Sequence, residues 1–326
     1  MTYVTEPSAV FGIDIGKREV VVERFDEPRL QRIPNTLKPL RVWLARVPAD
    51  ALLVMEATNT YHELLAALAY ALGLQVVVLN PHRSWHYARA IGKRGKTDPV
   101  DAAMLAQFGA NEWRKLVRWQ PASSGNIRVA RLLRRRTRLM SAKVAVTQSL
   151  GTMKELNRIR RDAKHALEAL IKRIDELILK AIAQDAELAK LHRLLCSIVG
   201  VGPIVAAQLA QALTRFPWAR DEAFIAYTGL DPRPDDSSTH RGRRKLTKHG
   251  PPMLRHLLHL AAMSASKTRL WKPAYLALRA RGLHTTEAFV VIARRLARIA
   301  FAIFRSGQPF DPTRLVSMPC GILTKP

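Results

Sequence analysis

Acidic residues are scarce in this chain. Asp and Glu total 26 against 53 Lys and Arg across 326 residues, a formal net charge of +27. Such an excess marks a polyanion as partner, with nucleic acid ahead of an anionic membrane surface. Cysteine is nearly missing: Cys196 and Cys320 are too few for a disulfide framework or a cysteine-based zinc site. No long uncharged apolar run occurs. The most apolar late stretch, Ala288 to Phe304, is broken by Arg294, Arg295 and Arg298, so no membrane span is expected. Met1 to Ala9 lacks the pattern of a secretory signal. What is present is 48% hydrophobic residue, ample for folded domains, and a length that predicts two or three of them. The expectation is an intracellular protein that binds nucleic acid.

The first third reads as a mixed sheet. Val10 to Ile15 and Val20 to Phe25 have the composition of paired strands around Gly16-Lys17, with a short third strand near Leu30 to Ile33. Leu37 to Arg46 has helical spacing. Ala51 to Met55 is a compact apolar run that ends at Glu56, as a buried strand would. Tyr61 to Leu72 is helical and stops at Gly73, and Gln75 to Leu79 is another buried strand closed by Asn80-Pro81. This β-β-(β)-α-β-α-β order, with the third strand optional, predicts helices on the faces of a mixed sheet. A loop, Ile91 to Thr97, carries Lys93, Arg94 and Lys96, and Asp98-Pro99 then opens a helix reaching about Phe108. Proline suits a first helical position, where its missing N–H would be unpaired anyway.

Glycine and proline almost vanish between Asn126 and His192, which predicts long helix. Leu167, Leu170, Ile174, Leu177 and Ala181 alternate spacings of three and four, the pattern of a coiled-coil seam. From Arg114 to Arg173 there are 17 Lys or Arg, among them Arg134, Arg135 and Arg136, and only three acids. A merely solvated face would mix both signs, so a nucleic-acid contact is the better reading. Further on, Gly200-Val201-Gly202-Pro203 joins two apolar helical stretches. Such a turn aims helix N-terminal amides at a phosphate, as in helix-hairpin-helix DNA binders, although it also occurs for packing alone. No acid appears from Ser237 through Thr286. Helices near Met253 to Ser266 and Thr286 to Phe304 close the chain.

Four carboxylates stand out against the basic background. Asp14 lies on the first strand, Glu56 at the end of a later one, and Asp98 with Asp101 at a helix start. A ribonuclease-H-like sheet would gather them. Clustered carboxylates repel nucleic acid unless divalent metal bridges the two, and Mg²⁺ prefers hard oxygen ligands. Taken singly, each has a bland reading: Asp98 as an N-cap, Asp101 as a first-turn acid, Asp14 as a cap on the Gly16 turn. Taken together, in this order of elements, they predict a metal site. Ser237 sits in a polar loop beside Ser238 and the cations Arg241, Arg243, Arg244 and Lys245. A serine there could attack phosphorus, but serine in a polar loop is ordinarily a turn residue.

These residues resemble the DEDD transposases of bacterial insertion sequences, the group numbered one-ten, which includes relatives that invert pilin genes. The matching stretches run in order through most of the chain: Phe11-Gly12-Ile13-Asp14-Ile15-Gly16, Met55 to His62, Asn80-Pro81-His82-Arg83 and Lys96 to Ala102. Ile198 to Pro203, Gly229 to Pro234, Asp236 to Arg244, Leu257 to Ala262 and Ser306 to Pro312 continue them.

The resemblance implies a RuvC-like α/β catalytic domain (1–118), a coiled-coil helical connector (119–192) and a mainly α transposase domain (193–326). It assigns Asp14, Glu56, Asp98 and Asp101 as ligands of Mg²⁺ or Mn²⁺, and Ser237 as the nucleophile that joins DNA. Where the family commonly has Ser-Gly, this chain has Ser237-Ser238, and Ser237 keeps the spacing to Arg241-Gly242. It further implies donor and target DNA as substrates, a structured bridge RNA as guide, and a cytoplasmic, nucleoid-associated homo-oligomer, dimer to tetramer. The alternatives are a RuvC-like junction resolvase that uses metal-activated water, and a non-catalytic nucleic-acid-binding derivative. The Phe11 to Gly16 run also resembles the first phosphate loop of actin-like ATPases, but no second glycine-rich phosphate hairpin follows it.

Overall fold

The computed structural model describes residues 6–92, 98–233 and 245–313, with the side chains of 98, 99 and 233 left aside. Two compact units divide at Pro121–Ala122.

The first unit is built on β1 (Val10–Ile15), β2 (Glu19–Arg24), β3 (Gln31–Pro34), α1 (Leu37–Leu44), β4 (Leu52–Glu56), α2 (His62–Ala71), β5 (Gln75–Leu79), α3 (Pro81–Ala90) and α4 (Asp98–Glu112). Its sheet has the order β3-β2-β1-β4-β5. β1 to β3 form an antiparallel meander, while β4 runs parallel to β1 and β5 parallel to β4. This is the mixed sheet expected from the order of elements, in the ribonuclease-H-like α/β form that the family resemblance implies. Side-chain alternation explains the layers. Phe11, Ile13, Leu53, Met55 and Val76 share one core with Leu40, Trp43 and Leu65 of α1 and α2. Val10, Leu52, Val54, Val77 and Leu79 share the other with Met104, Leu105 and Phe108 of α4. Each central strand is therefore apolar on both faces, which is why β4 and β5 read as continuous hydrophobic runs.

The second unit is mainly helical: α5 (Ser124–Ser149), α6 (Asn157–Ala183), α7 (Ala186–Cys196), α8 (Pro203–Leu213), α9 (Asp221–Thr228), the short pair β6 (Pro232–Arg233) and β7 (Lys245–Leu246), then α10 (Pro252–Ala265), α11 (Lys272–Ala280) and α12 (Thr285–Ser306). Ser123 caps α5 by accepting from the Asn126 amide, and Asp185 caps α7 by accepting from Leu188. One core unites Val129, Ile178, Leu209, Phe224, Leu258, Trp271, Ile292 and Leu296.

The apolar seam of α6 differs from its expected position. Ile171, Ile178, Ala181 and Ile182 are buried, whereas Leu170 and Leu177 are exposed. The packed stripe keeps a three-and-four spacing through Ile171, Ile174, Ile178 and Ala181, so Ile174 and Ala181 of the expected seam hold while Leu170 and Leu177 fall outside it. Isoleucines at 171 and 178 lie one position along the helix from Leu170 and Leu177, about 100° round its axis, and it is that face which meets the core. Among the described residues, no helix is long and apolar enough to cross a membrane.

Candidate active site

Strand register brings the first two carboxylates together. β1 and β4 lie side by side with Ile13 opposite Met55, and the next residue along each strand is Asp14 and Glu56. Adjacent strands stand about 4.8 Å apart. Alternation points Asp14 to the same face as Gly12 and Val10, and Glu56 to the same face as Val54 and Leu52. That is the α4 face of the sheet.

The direction of α4 follows from where its small residues touch. A Cβ placed on Gly12 would lie 2.0 Å from the Ala102 carbonyl oxygen and 2.2 Å from the Ala106 nitrogen. A Cβ on Gly109 would meet Val10 and Val54 at 2.7 and 2.6 Å. Moving toward the N-terminus of α4 therefore moves from Val10 past Gly12 toward Asp14. Asp98 and Asp101 occupy the turn beyond Ala102, at the end of the sheet where Asp14 and Glu56 emerge. Acids in a first turn are also favoured by the helix dipole. Asp14, Glu56 and Asp101 are all half-buried.

Neighbouring residues hold this end of the sheet. The buried Ser84 of α3 donates its hydroxyl to Glu56 Oε2 at 2.5 Å. α3 is placed for this by Asn80, whose Oδ1 accepts from the His82 amide, with Pro81 at the first helical position. Asn35 Nδ2 donates to the carbonyls of Gly16 (2.9 Å) and Tyr61 (3.2 Å), clamping the turn after β1 to the segment after β4. Asn59, with φ of 48°, turns the chain just beyond Glu56 in a left-handed conformation that asparagine tolerates.

All four acids offer hard oxygen donors, the set that suits Mg²⁺ or Mn²⁺. Among the described residues, no three His, Cys, Asp or Glu side chains stand close enough to hold one ion. The Asp98 side chain is outside that description.

Ser237, Arg241, Arg243 and Arg244 lie outside the described residues, as do Lys93, Arg94 and Lys96. The stem that carries the serine segment is described. β6 and β7 pair Pro232 with Leu246 and Arg233 with Lys245, which is exposed. The Thr247 hydroxyl donates to the Asp231 carboxylate, and the Thr247 and Lys248 amides donate to the Asp231 and Gly229 carbonyls at 3.1 and 3.2 Å. Gly250 lies flat on the end of α9, where a Cβ would fall 1.6 Å from the Tyr227 oxygen. Arg294 of α12 feels this stem. Burial pulls its guanidinium pKa below the ordinary value, the neighbouring Arg298 adds to that, and Asp231 opposes it.

Of the α5 arginines, Arg134 and Arg135 are exposed, while Arg136 is held by Asp175 of α6 through contacts of 2.5 and 3.2 Å. Gly200 has a packing reason: φ is +98° and a Cβ would strike Ala265 of α10 at 2.5 Å. Gly202 differs, since it caps α8 and a Cβ there would meet open space.

Comparison with known proteins decides the family. Residues 11–156 match the DEDD transposases of IS110, and residues 192–277 match the transposase family of IS116, IS110 and IS902. The pilin gene-inverting proteins of Moraxella bovis and Moraxella lacunata are each 30% identical over 270 residues, covering 79% of this chain and 81% of theirs. This chain belongs to the IS110/IS116/IS902 transposase family. A protein of insertion element IS116 from Streptomyces clavuligerus is 28% identical over 163 residues, 46% of this chain and 38% of that one. Membership implies DNA recombinase activity, and the acidic end of the sheet falls inside the first matched region of this transposase.

Sequence reasoning missed α3, and with it Ser84. The signal was present: Asn80-Pro81 is an N-cap followed by an N1 proline, but it reads equally as the end of β5. Asn35 carried no signal, because its partners are backbone carbonyls that lie close only after folding.

Proposed function

We propose that this transposase cuts and rejoins DNA by attack of Ser237 on a phosphodiester, with divalent metal at Asp14, Glu56, Asp98 and Asp101 and with a bridge RNA selecting the sites. The observation that carries this reading is the adjacency of Asp14 and Glu56 at the end of the sheet toward which the first turn of α4 extends. A carboxylate group at that position, in a chain of net charge +27, needs a cation to meet DNA. Mg²⁺ bound there supplies a counter-charge for the scissile phosphate and polarises it.

In the reaction the Ser237 oxygen forms a bond to phosphorus while one deoxyribose–phosphate bond breaks. The serine proton is lost and the departing sugar oxygen gains one. A hydroxyl from a second strand then displaces the serine, so the phosphodiester count is conserved. Arg241, Arg243, Arg244 and Lys245 stabilise the charge that develops on phosphate. Lys93, Arg94, Lys96, Arg134 and Arg135 grip nucleic acid by its backbone, leaving sequence choice to base pairing. Arg136 supports them through its pairing with Asp175, and Gly202 leaves the N-terminus of α8 open to a phosphate. The functional division is a catalytic domain (1–118), a coiled-coil connector (119–192) and a serine-bearing domain (193–326), acting as a dimer to tetramer.

The test is a covalent-adduct assay on the protein expressed with its native flanking DNA. The wild type is expected to form a protein–DNA adduct that Ser237→Ala abolishes, and to co-purify with a single discrete RNA from the flank. Asp14→Asn is expected to keep DNA binding and lose chemistry. An adduct persisting in Ser237→Ala overturns the serine role, and cleavage without any adduct identifies a hydrolytic junction resolvase instead.

A further inference from the structure

One surface beside the carboxylates is unused by that chemistry. The inner side of α3 is anchored: Ser84 bonds Glu56, the Tyr87 ring meets Phe108 of α4 edge-on at 4.6 Å, and the Tyr87 hydroxyl accepts from Asn111 at 2.9 Å. His82, Trp85, His86 and Arg89, spaced three, four and seven apart, fall together on the outer side, and all four are exposed. Trp85 is 51% exposed, although burying an indole is among the larger gains open to a side chain.

Its surroundings are ordered all the same. The Arg89 guanidinium stacks 4.9 Å from the Trp85 ring centroid, and the His86 ring meets it edge-on, also at 4.9 Å. An isolated exposed tryptophan needs no explanation. This one has a cation on its ring, stands on a helix locked from behind, and follows directly in sequence the residue that holds Glu56.

We propose that Trp85 and Arg89 form a stacking platform for an unpaired base of the DNA strand that is delivered to the carboxylates. The indole offers a flat π surface to a base, and Arg89 both orders the ring and supplies positive charge toward the adjoining phosphate. A base inside a duplex hides its faces in the stack, so the platform selects strand that has been opened. Selection of open strand at this position suits strand exchange, in which duplex must separate before rejoining. The inference rests on the carboxylate site acting on DNA, as proposed above.

The experiment measures binding of labelled DNA to the full-length protein by fluorescence anisotropy, at raised salt to suppress contacts with phosphate alone. Trp85→Ala is expected to weaken single-stranded DNA binding about tenfold, Trp85→Phe to retain most of it, and fully paired duplex to bind all three proteins alike. A single abasic site walked along the strand is expected to weaken the wild type at one position and to leave Trp85→Ala indifferent there. Because Trp85 is exposed, both variants are expected to melt as the wild type does, which circular dichroism checks. Unchanged single-strand affinity in Trp85→Ala overturns the platform, as does an abasic penalty of equal size in both proteins, or an effect confined to RNA of the same sequence. Stacking that persists in a protein forming no adduct leaves the platform standing and overturns only the serine chemistry.

Discussion

Ser84 Oγ and Glu56 Oε2 stand 2.5 Å apart where β4 ends and α3 begins, so a buried hydroxyl fixes one of the carboxylates proposed to hold metal. Groups that orient metal ligands are commonly worth ten to a hundredfold in affinity or activity. Ser84→Ala is expected to raise the Mn²⁺ concentration needed for half-maximal strand cleavage about tenfold. Titration calorimetry of Mn²⁺ with DNA present checks the same shift directly. An unaltered metal dependence would reduce Ser84 to a helix-start residue.

Gly12 admits no side chain. The 2.0 Å approach of the Ala102 oxygen to a Cβ there is far inside van der Waals contact, and the obstacle is helix backbone. Gly12→Ala therefore has to push α4 from the sheet, taking Asp98 and Asp101 away from Asp14. Overpacking of this kind costs roughly 1–3 kcal/mol. Chemical denaturation is expected to show that loss, and strand cleavage to fall further than DNA binding.

In the second unit, Asn126 is 2% exposed and its amide is used on both sides. Its nitrogen donates to the Gln211 carbonyl and the Thr214 hydroxyl at 2.9 and 2.8 Å, while its oxygen accepts from Gln211 Nε2 at 3.1 Å. These bonds tie the start of α5 to the end of α8. Asn126→Ala removes three bonds made at half-buried Gln211 and Thr214, and each is worth about 0.5–1.5 kcal/mol. A lowered melting temperature is expected, with Asn126→Asp no rescue, since a carboxylate cannot donate to the Gln211 carbonyl.

His259 of α10 packs edge-on against Phe289 at 5.6 Å, and burial, helped by the nearby His256, lowers its pKa. A histidine that resists protonation in the folded state makes the unfolded state bind more protons. Stability then rises with pH, and is lost as pH falls from about 6.5, the unfolded value, toward the lower folded one. His259→Gln is expected to melt with a shallower decline between about pH 7 and pH 5. Parallel melting curves for the two proteins would assign the acid sensitivity elsewhere.

Local physics made much of this protein legible in its sequence. Apolar runs bounded by Gly, Pro and Asn marked the strands, the absence of Gly and Pro marked α5 to α7, and charge imbalance marked nucleic acid. The helix start at Asp98 followed from a proline that only a first turn accommodates. Asp14 and Glu56 were identifiable as candidates because carboxylates at strand ends are conspicuous in a basic chain. Their adjacency was not, because 42 positions separate them and only the parallel register of β1 with β4 removes that distance. The packing face of α6 was likewise decided in three dimensions, where Ile171 and Ile178 displaced Leu170 and Leu177 from the buried side. Composition and periodicity report what a segment prefers by itself. Which carboxylate Ser84 holds, and how close α4 comes to Gly12, depend on contacts between segments that preference does not encode.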